Sequence, residues 1–215
     1  MNSKDFLNGI FAILLFIVSG VVFAADSGQN IVMQGNQRGA TACVTCHGAD
    51  GAGQAAAGFP RLAGQDKDYL IRQLLAFTQG SRKNPIMVPI ASALNQQDMA
   101  EVAAYYSHQT APNPNAGKGD KSLVSTGEKL ALRGNWDKTI PACVTCHGPG
   151  GKGVGSHFPA LAGQSASYIE QQIQAWKSGT RHNDPNQLMQ GVAKRLSPSE
   201  AKAVAAYFAN LGTEK

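Results

Sequence analysis

Apolar positions along the chain form two kinds of pattern. The first is a continuous block, Ile10 to Val18, preceded by Lys4 and followed by Val22-Phe23-Ala24, a small-x-small stretch. That order predicts a secretory signal over residues 1–24 with cleavage before Ala25. Ser19-Gly20 interrupts the block and it ends near Ala25, which is short for a membrane span of about 20 residues. The second pattern is helical. Tyr69, Leu70, Gln73, Leu74 and Phe77 recur at helix spacing, with Gly80 placed as the stop. Ser197-Pro198-Ser199-Glu200 spells a capping box with proline at the first helical position, and Asn95-Gln96-Gln97-Asp98 is a weaker version. Strand-like alternation is absent, so the expected fold class is all-α.

The pattern occurs twice. Cys43, Cys46 and His47 return at Cys143, Cys146 and His147. Phe59-Pro60-Arg61-Leu62-Ala63-Gly64-Gln65 returns as Phe158-Pro159-Ala160-Leu161-Ala162-Gly163-Gln164. Tyr69, Gln73, Gly80, Arg82 and Asn84 match Tyr168, Gln172, Gly179, Arg181 and Asn183, and Leu94 and Tyr105 match Leu196 and Tyr207. The offsets are 100, 99 and 102, which two small length changes in loops account for. Between the copies, residues 110–120 are rich in Pro, Gly and Asn, a composition that stops helices. The expected organisation is a signal at 1–24, one domain at 25–110, a linker at 111–120 and a second domain at 121–215.

Composition changes this picture little. The chain is 43% hydrophobic and 15% charged, as globular proteins are. Charge is uneven: residues 25–116 carry six Lys/Arg against six Asp/Glu, whereas residues 117–215 carry twelve against seven. The basic residues form no dense run in a chain expected to be exported, so nucleic acid is not an expected partner. An acidic protein surface suits the second half better.

All four cysteines lie in the two repeated motifs. Disulfides are the usual use of thiols outside the cell, and Cys-x-x-Cys also serves redox dithiols and zinc sites. Here a histidine follows the second cysteine directly in both copies. Neither copy supplies two further zinc ligands, and the βαβ pattern of a thioredoxin is missing. Covalent haem uses every residue: two thiols at the start of a helix bond the porphyrin vinyl groups, and the next imidazole is the proximal iron ligand. The expected cofactor is therefore two haem c groups, on Cys43, Cys46 and His47 and on Cys143, Cys146 and His147.

Beyond the signal the methionines are Met33, Met87, Met99 and Met189. Only Met87 and Met189 correspond between the copies, in segments expected to be loops ahead of the last helix. Filling core gaps is the ordinary use of methionine, but the paired occurrence marks these two as candidate distal ligands. His182, unduplicated, is a reserve ligand. His/Met ligation closes the iron to substrates and raises its potential, which suits electron transfer. Pro60 and Pro159 hold rigid backbone where a carbonyl could accept the second N–H of each proximal histidine.

These residues together resemble the dihaem cytochrome c4 family, built from two class I cytochrome c domains. The resemblance rests on the two Cys-x-x-Cys-His motifs, the two Phe-Pro-x-Leu-Ala-Gly-Gln segments, Met87, Met189 and the segments 103–106 and 189–193, and it spans nearly all of residues 26–212. One departure is the shorter interval from Arg82 to Met87 than from Arg181 to Met189. The resemblance implies that Met87 and Met189 ligate iron and that the carbonyls of Pro60 and Pro159 bond the proximal histidines. It implies domains in pseudo-twofold contact with the propionate edges facing. It further implies a periplasmic electron carrier rather than an enzyme, running from a quinol-oxidising complex to a haem-copper oxidase, with peripheral membrane association open. Two other readings stand beside it. One is the cytochrome subunit of a dehydrogenase complex, such as a flavin-dependent sulfide dehydrogenase. The other is a haem enzyme with an exchangeable ligand, such as a peroxidase or a thiosulfate-oxidising cytochrome.

Overall fold

A computed structural model describes residues 24–110 and 112–213; the expected signal at 1–24 lies, but for Ala24, outside them. The first copy contains α1 (Ala24–Gln34), α2 (Val44–His47), α3 (Lys67–Thr78), α4 (Met87–Ser92) and α5 (Gln96–His108). The second repeats the plan with α6 (Lys121–Arg133), α7 (Cys143–His147), α8 (Ala166–Ser178), α9 (Leu188–Arg195) and α10 (Pro198–Asn210). Among the described residues extended pairing is confined to isolated bridges, such as Gln54 with Phe59 and Val154 with Phe158, so the all-α expectation holds.

Each copy has its own core. Ile31, Val32, Leu70, Leu94, Val102 and Tyr106 form the first. Leu130, Ile140, Ile173, Trp176, Val204 and Phe208 anchor the second. Met99, 3% exposed, belongs to the first core.

The helices that open the two copies, α1 and α6, went unread in the sequence because a central glycine weakens each as a helix. The fold needs those glycines. A Cβ on Gly28 would lie 2.5 Å from the Glu101 carbonyl oxygen, and one on Gly127 would lie 2.0 Å from that of Ala203. Without side chains there, α1 packs directly on the α5 backbone, and α6 on that of α10.

The capping boxes are both complete. The Ser197 hydroxyl accepts from Glu200 N and the Glu200 carboxylate accepts from Ser197 N. Asn95 and Asp98 exchange the same pair of bonds, with the return bond to Asn95 N longer at 3.3 Å. The Asp98 carboxylate is further held by Asn36 and Arg38.

The segment between the copies is tied to the second. Asn113 Nδ2 donates to the carbonyls of Ala209 and Leu211 at 2.7 and 2.8 Å, and Gly119 N donates to Asn210 Oδ1 at 2.8 Å.

The two copies meet along a seam of near-twofold symmetry. Residues 81–83 run antiparallel to residues 180–182, with Lys83 N donating to Thr180 O and His182 N to Ser81 O. Gln65 Nε2 donates to Ala160 O at 2.8 Å while its Oε1 accepts from Ala160 N at 3.1 Å. Gln164 makes the same two bonds to Arg61, both at 3.0 Å. Since Arg61 and Ala160 occupy the same place in the repeated motif, each copy's glutamine clasps the other copy's motif.

Candidate functional site

The Cys-x-x-Cys-His segments sit in tight single turns. His47 closes α2 and His147 closes α7, both buried. The turn directs each imidazole inward beneath the chain that follows. His47 Nδ1 lies 3.0 Å from Pro60 O, and His147 Nδ1 lies 2.9 Å from Pro159 O. A carbonyl only accepts, so Nδ1 carries the proton and Nε2 keeps its lone pair for a metal. Burial disfavours the imidazolium and lowers the pKa of both rings, with the proline carbonyls opposing. Neutral imidazole is the form that ligates iron. Phe59 meets the His47 ring edge-on at 6.3 Å, and Phe158 meets that of His147 at 6.2 Å.

Glycine makes this turn possible behind the histidine. Gly51, at φ +70°, would place a Cβ 2.8 Å from the Tyr106 ring, and Gly151, at φ +69°, would place one 2.6 Å from the Phe208 ring. Tyr106 and Phe208 thus press on the chain just beyond each proximal histidine. Tyr106 also donates its hydroxyl to Gly48 O at 3.1 Å.

None of the four cysteines is paired in a disulfide. Burial pushes the Cys43 thiol up to about 11, and that of Cys143 likewise. Protonated thiols are poor nucleophiles, unlike those of a working redox dithiol. Among the described residues no group of three or more His, Cys, Asp or Glu side chains is placed to hold a metal ion.

One cavity of about 730 Å³ is lined by both copies, and it contains every expected site residue: Cys43, Cys46, His47 and Met87, then Cys143, Cys146, His147 and Met189. Its wall is otherwise largely apolar, with Leu70, Ile90 and Val102 in the first copy and Ile169, Ile173 and Val192 in the second. Thiols for attachment, a proximal imidazole with its Nε2 free, a thioether on the same cavity and apolar walls together fit a haem in each copy.

The methionines are in helices, which corrects their expected loop placement. Met87 is the first residue of α4 and Met189 the second of α9. Asn84 Oδ1 accepts from Met87 N at 2.9 Å, and Asp184 Oδ2 accepts from Gln190 N at 2.9 Å, so a polar side chain fixes each start. The longer interval in the second copy is a one-turn insertion at Pro185–Gln187, with Asn186 and Gln187 at positive φ. His182 is exposed and its Nδ1 faces Gly179 O at 3.1 Å; it does not line the cavity.

The seam polar residues were matched between the copies in sequence but assigned no task there. Arg82 Nη2 donates to Tyr168 Oη at 2.5 Å and to Gln172 Oε1 at 2.9 Å, while its Nη1 donates to Gln73 Oε1 at 3.1 Å. Arg181 mirrors this with Tyr69, Gln73 and Gln172. Arg82 lies over the Phe77 ring at 4.7 Å and Arg181 over the Trp176 ring at 3.7 Å.

The sequence profile of the cytochrome c family matches residues 32–110 and again 125–212. A protein of Stutzerimonas stutzeri (strain A1501) named thiosulfate dehydrogenase electron acceptor is 51% identical over 97% of this chain and 95% of its own length. The crystal structure of reduced recombinant cytochrome c4 from Pseudomonas stutzeri covers 87% of this chain and 98% of its own, at 36% identity and a TM-score of 0.77. The thiosulfate dehydrogenase TsdBA of Marichromatium purpuratum covers 88% of this chain at 45% identity and a TM-score of 0.82, and this chain spans 40% of that longer protein. With two cytochrome c domains, each presenting a complete haem attachment motif to the cavity, the chain belongs to the dihaem cytochrome c4 family of c-type electron carriers.

Proposed function

We propose that this protein is the periplasmic electron acceptor of a thiosulfate dehydrogenase, holding its haem irons between His47 and Met87 and between His147 and Met189. The observation that carries the partner is the match to the Stutzerimonas protein of that name, at 51% identity over nearly the whole of both chains. A second protein so named, from Thiomonas intermedia, is 48% identical over 79% of this chain. The dehydrogenase in this reading oxidises thiosulfate, in place of the flavin-dependent sulfide dehydrogenase expected as an example. The chain itself takes up electrons and passes them on; two haems accept both electrons of a two-electron oxidation.

The surface supports docking at the haems. Ile86 and Leu188, each directly before the candidate ligand methionine and lining the cavity, are 49% and 50% exposed. Exposed apolar residues at the cavity suit a brief encounter with a redox partner, and the net basic charge of residues 117–215 suits an acidic one.

The test mixes the oxidised dihaem protein with a purified thiosulfate dehydrogenase and follows the reduced haem absorbance. Rapid reduction that requires both thiosulfate and enzyme, and that slows as salt is added, is expected. Reduction by a quinol-oxidising complex but not by the dehydrogenase would return the protein to a general respiratory carrier.

A further inference from the structure

A duplicated chain is its own control, because what one copy carries and the other lacks is not required by the fold. The turns leading into the two haem attachment motifs allow that comparison. In the first copy Asn36 and Arg38 both reach the capping-box acid Asp98, and Gly39, at φ +98°, ends the turn. In the second, Asn135 Nδ2 donates to Glu200 Oε1 at 3.1 Å, and Lys138 Nζ lies 2.9 Å from both carboxylate oxygens. The brace is shared. The second copy adds one residue between the asparagine and the cation, and its turn, Trp136–Lys138, carries a tryptophan. Thr139 stands where Gly39 does in the first copy, at φ +55°, a left-handed conformation costly for a β-branched residue.

Trp136 is 73% exposed, and Leu132, in the last turn of α6, is 46% exposed. Neither lines the cavity, although Pro141 and Ala142, just beyond the turn, do. The indole therefore packs no core and walls no haem. A large aromatic side chain held out on a braced turn has the character of an interface anchor, which gains its energy when a partner buries it. Lys129 and Arg133 close by in sequence are exposed and, among the described residues, in no ion pair, against the acids Glu128 and Asp137 of the same stretch. Residues 117–215 as a whole carry twelve Lys/Arg against seven Asp/Glu. Symmetry adds a reason for such an anchor. The near-twofold seam offers a partner two similar copies to approach, and a feature present once settles which is docked.

We propose that Trp136, with Leu132 and Arg133, anchors a redox partner on the second copy, the indole filling an apolar pocket in an acidic surface of that partner. The proposal rests on the reading above, in which the partner is the thiosulfate dehydrogenase. The apolar residues at the cavity are present in both copies, as Ile86 and Leu188; the anchor outside the cavity is what directs the dehydrogenase to one of them.

The test measures reduction of the dihaem protein by a purified thiosulfate dehydrogenase with thiosulfate, separating KM for the dihaem protein from kcat. Trp136→Ala should raise KM by about tenfold or more and leave kcat as it was. Trp136→Phe, which keeps an aromatic ring, should recover part of the loss, and Arg133→Glu should raise KM and flatten its salt dependence. Gln37→Ala, at the exposed matching place in the first copy, should change nothing. The melting temperature of Trp136→Ala and its rate of reduction by ascorbate should equal those of wild type. An unchanged KM for Trp136→Ala, with wild type reduced normally, overturns the anchor and leaves the dehydrogenase reading in place. An equal rise for Gln37→Ala also overturns it, since docking would then not distinguish the copies. So does a rise in KM accompanied by a fall in melting temperature, which would mark the turn as structural. A wild type that the dehydrogenase does not reduce removes both readings.

Discussion

Gln65 holds both backbone polar groups of Ala160, its amide donating at 2.8 Å and accepting at 3.1 Å, and Gln164 repeats the arrangement on Arg61. A glutamine that bonds the N–H and C=O of one residue acts like a short strand added across the seam. The bonded residue in each copy lies directly after the proline whose carbonyl receives the proximal histidine. Domain docking and imidazole orientation are thus neighbours along one backbone.

Gln164→Ala should therefore loosen the docking of the domains. It strands the N–H and C=O of Arg61, a buried residue, at a cost of about 1–3 kcal/mol for each group left unsatisfied. Calorimetry of the dihaem protein should show unfolding of the two halves separating into two transitions, while the haem absorbance of the native state stays as it was. A single transition at the original temperature would show that the clasp contributes nothing to docking.

Replacement of Met87 or Met189 by alanine should remove the sixth ligand from one haem and leave the other alone. The affected haem should change its optical spectrum to that of an open or water-ligated iron and fall in potential, since thioether ligation raises it. Each variant should alter half of the haem signal. An unchanged spectrum in either would withdraw that methionine, and the cavity geometry would then favour a catalytic haem.

What could be read from the chain depended on whether neighbours in sequence do the work. Haem attachment needs two thiols and an imidazole in consecutive turns of backbone, so Cys43 to His47 and Cys143 to His147 announced themselves. Met87 and Met189 were visible only because the chain repeats; in a single domain neither would stand out from Met99, which is plain core. The seam was harder. Gln73, Arg82, Gln172 and Arg181 were seen as matched pairs, yet each acts on the other copy, and no local pattern shows that. The available signal was chemical: duplicated arginine and glutamine on or beside helices that otherwise bury apolar faces. The helices α1 and α6 were missed for a related reason, because Gly28 and Gly127 weaken a helix in isolation and become necessary only where a second helix crosses.

Gly127→Ala tests that crossing. In a free helix the change is favourable by about 1 kcal/mol, but here the added Cβ meets the Ala203 carbonyl at 2.0 Å. Overpacking of this kind costs roughly 1–3 kcal/mol or more, so the denaturation midpoint of the second domain should fall. Gly28→Ala, with 2.5 Å to its nearest backbone atom, should be milder. Gly191→Ala is the control: it lies within α9 and meets only the tip of the Arg195 side chain at 3.3 Å, so stability should hold or rise. Equal effects at all three positions would mean that helix crossing does not select the glycines.

Glu200 supplies a pH dependence confined to the second domain. Partial burial disfavours its charge, but bonds from Ser197 N, Lys138 Nζ, the Ser197 hydroxyl and Asn135 outweigh that and hold the carboxyl from its ordinary 4.5 down to about 2. A carboxylate depressed by folding contributes stability that is full above its unfolded pKa and lost as pH falls through the folded one. Wild type should therefore lose stability in its second domain between about pH 4.5 and about pH 2. Glu200→Gln keeps an acceptor for Ser197 N and Asn135 but cannot pair with Lys138, which lies 2.9 Å from both carboxylate oxygens. Its melting temperature should sit below wild type near neutrality, and the gap should close as pH approaches about 2. A gap that stays constant over that range would place the stabilisation in the shape of the capping box and not in the charge.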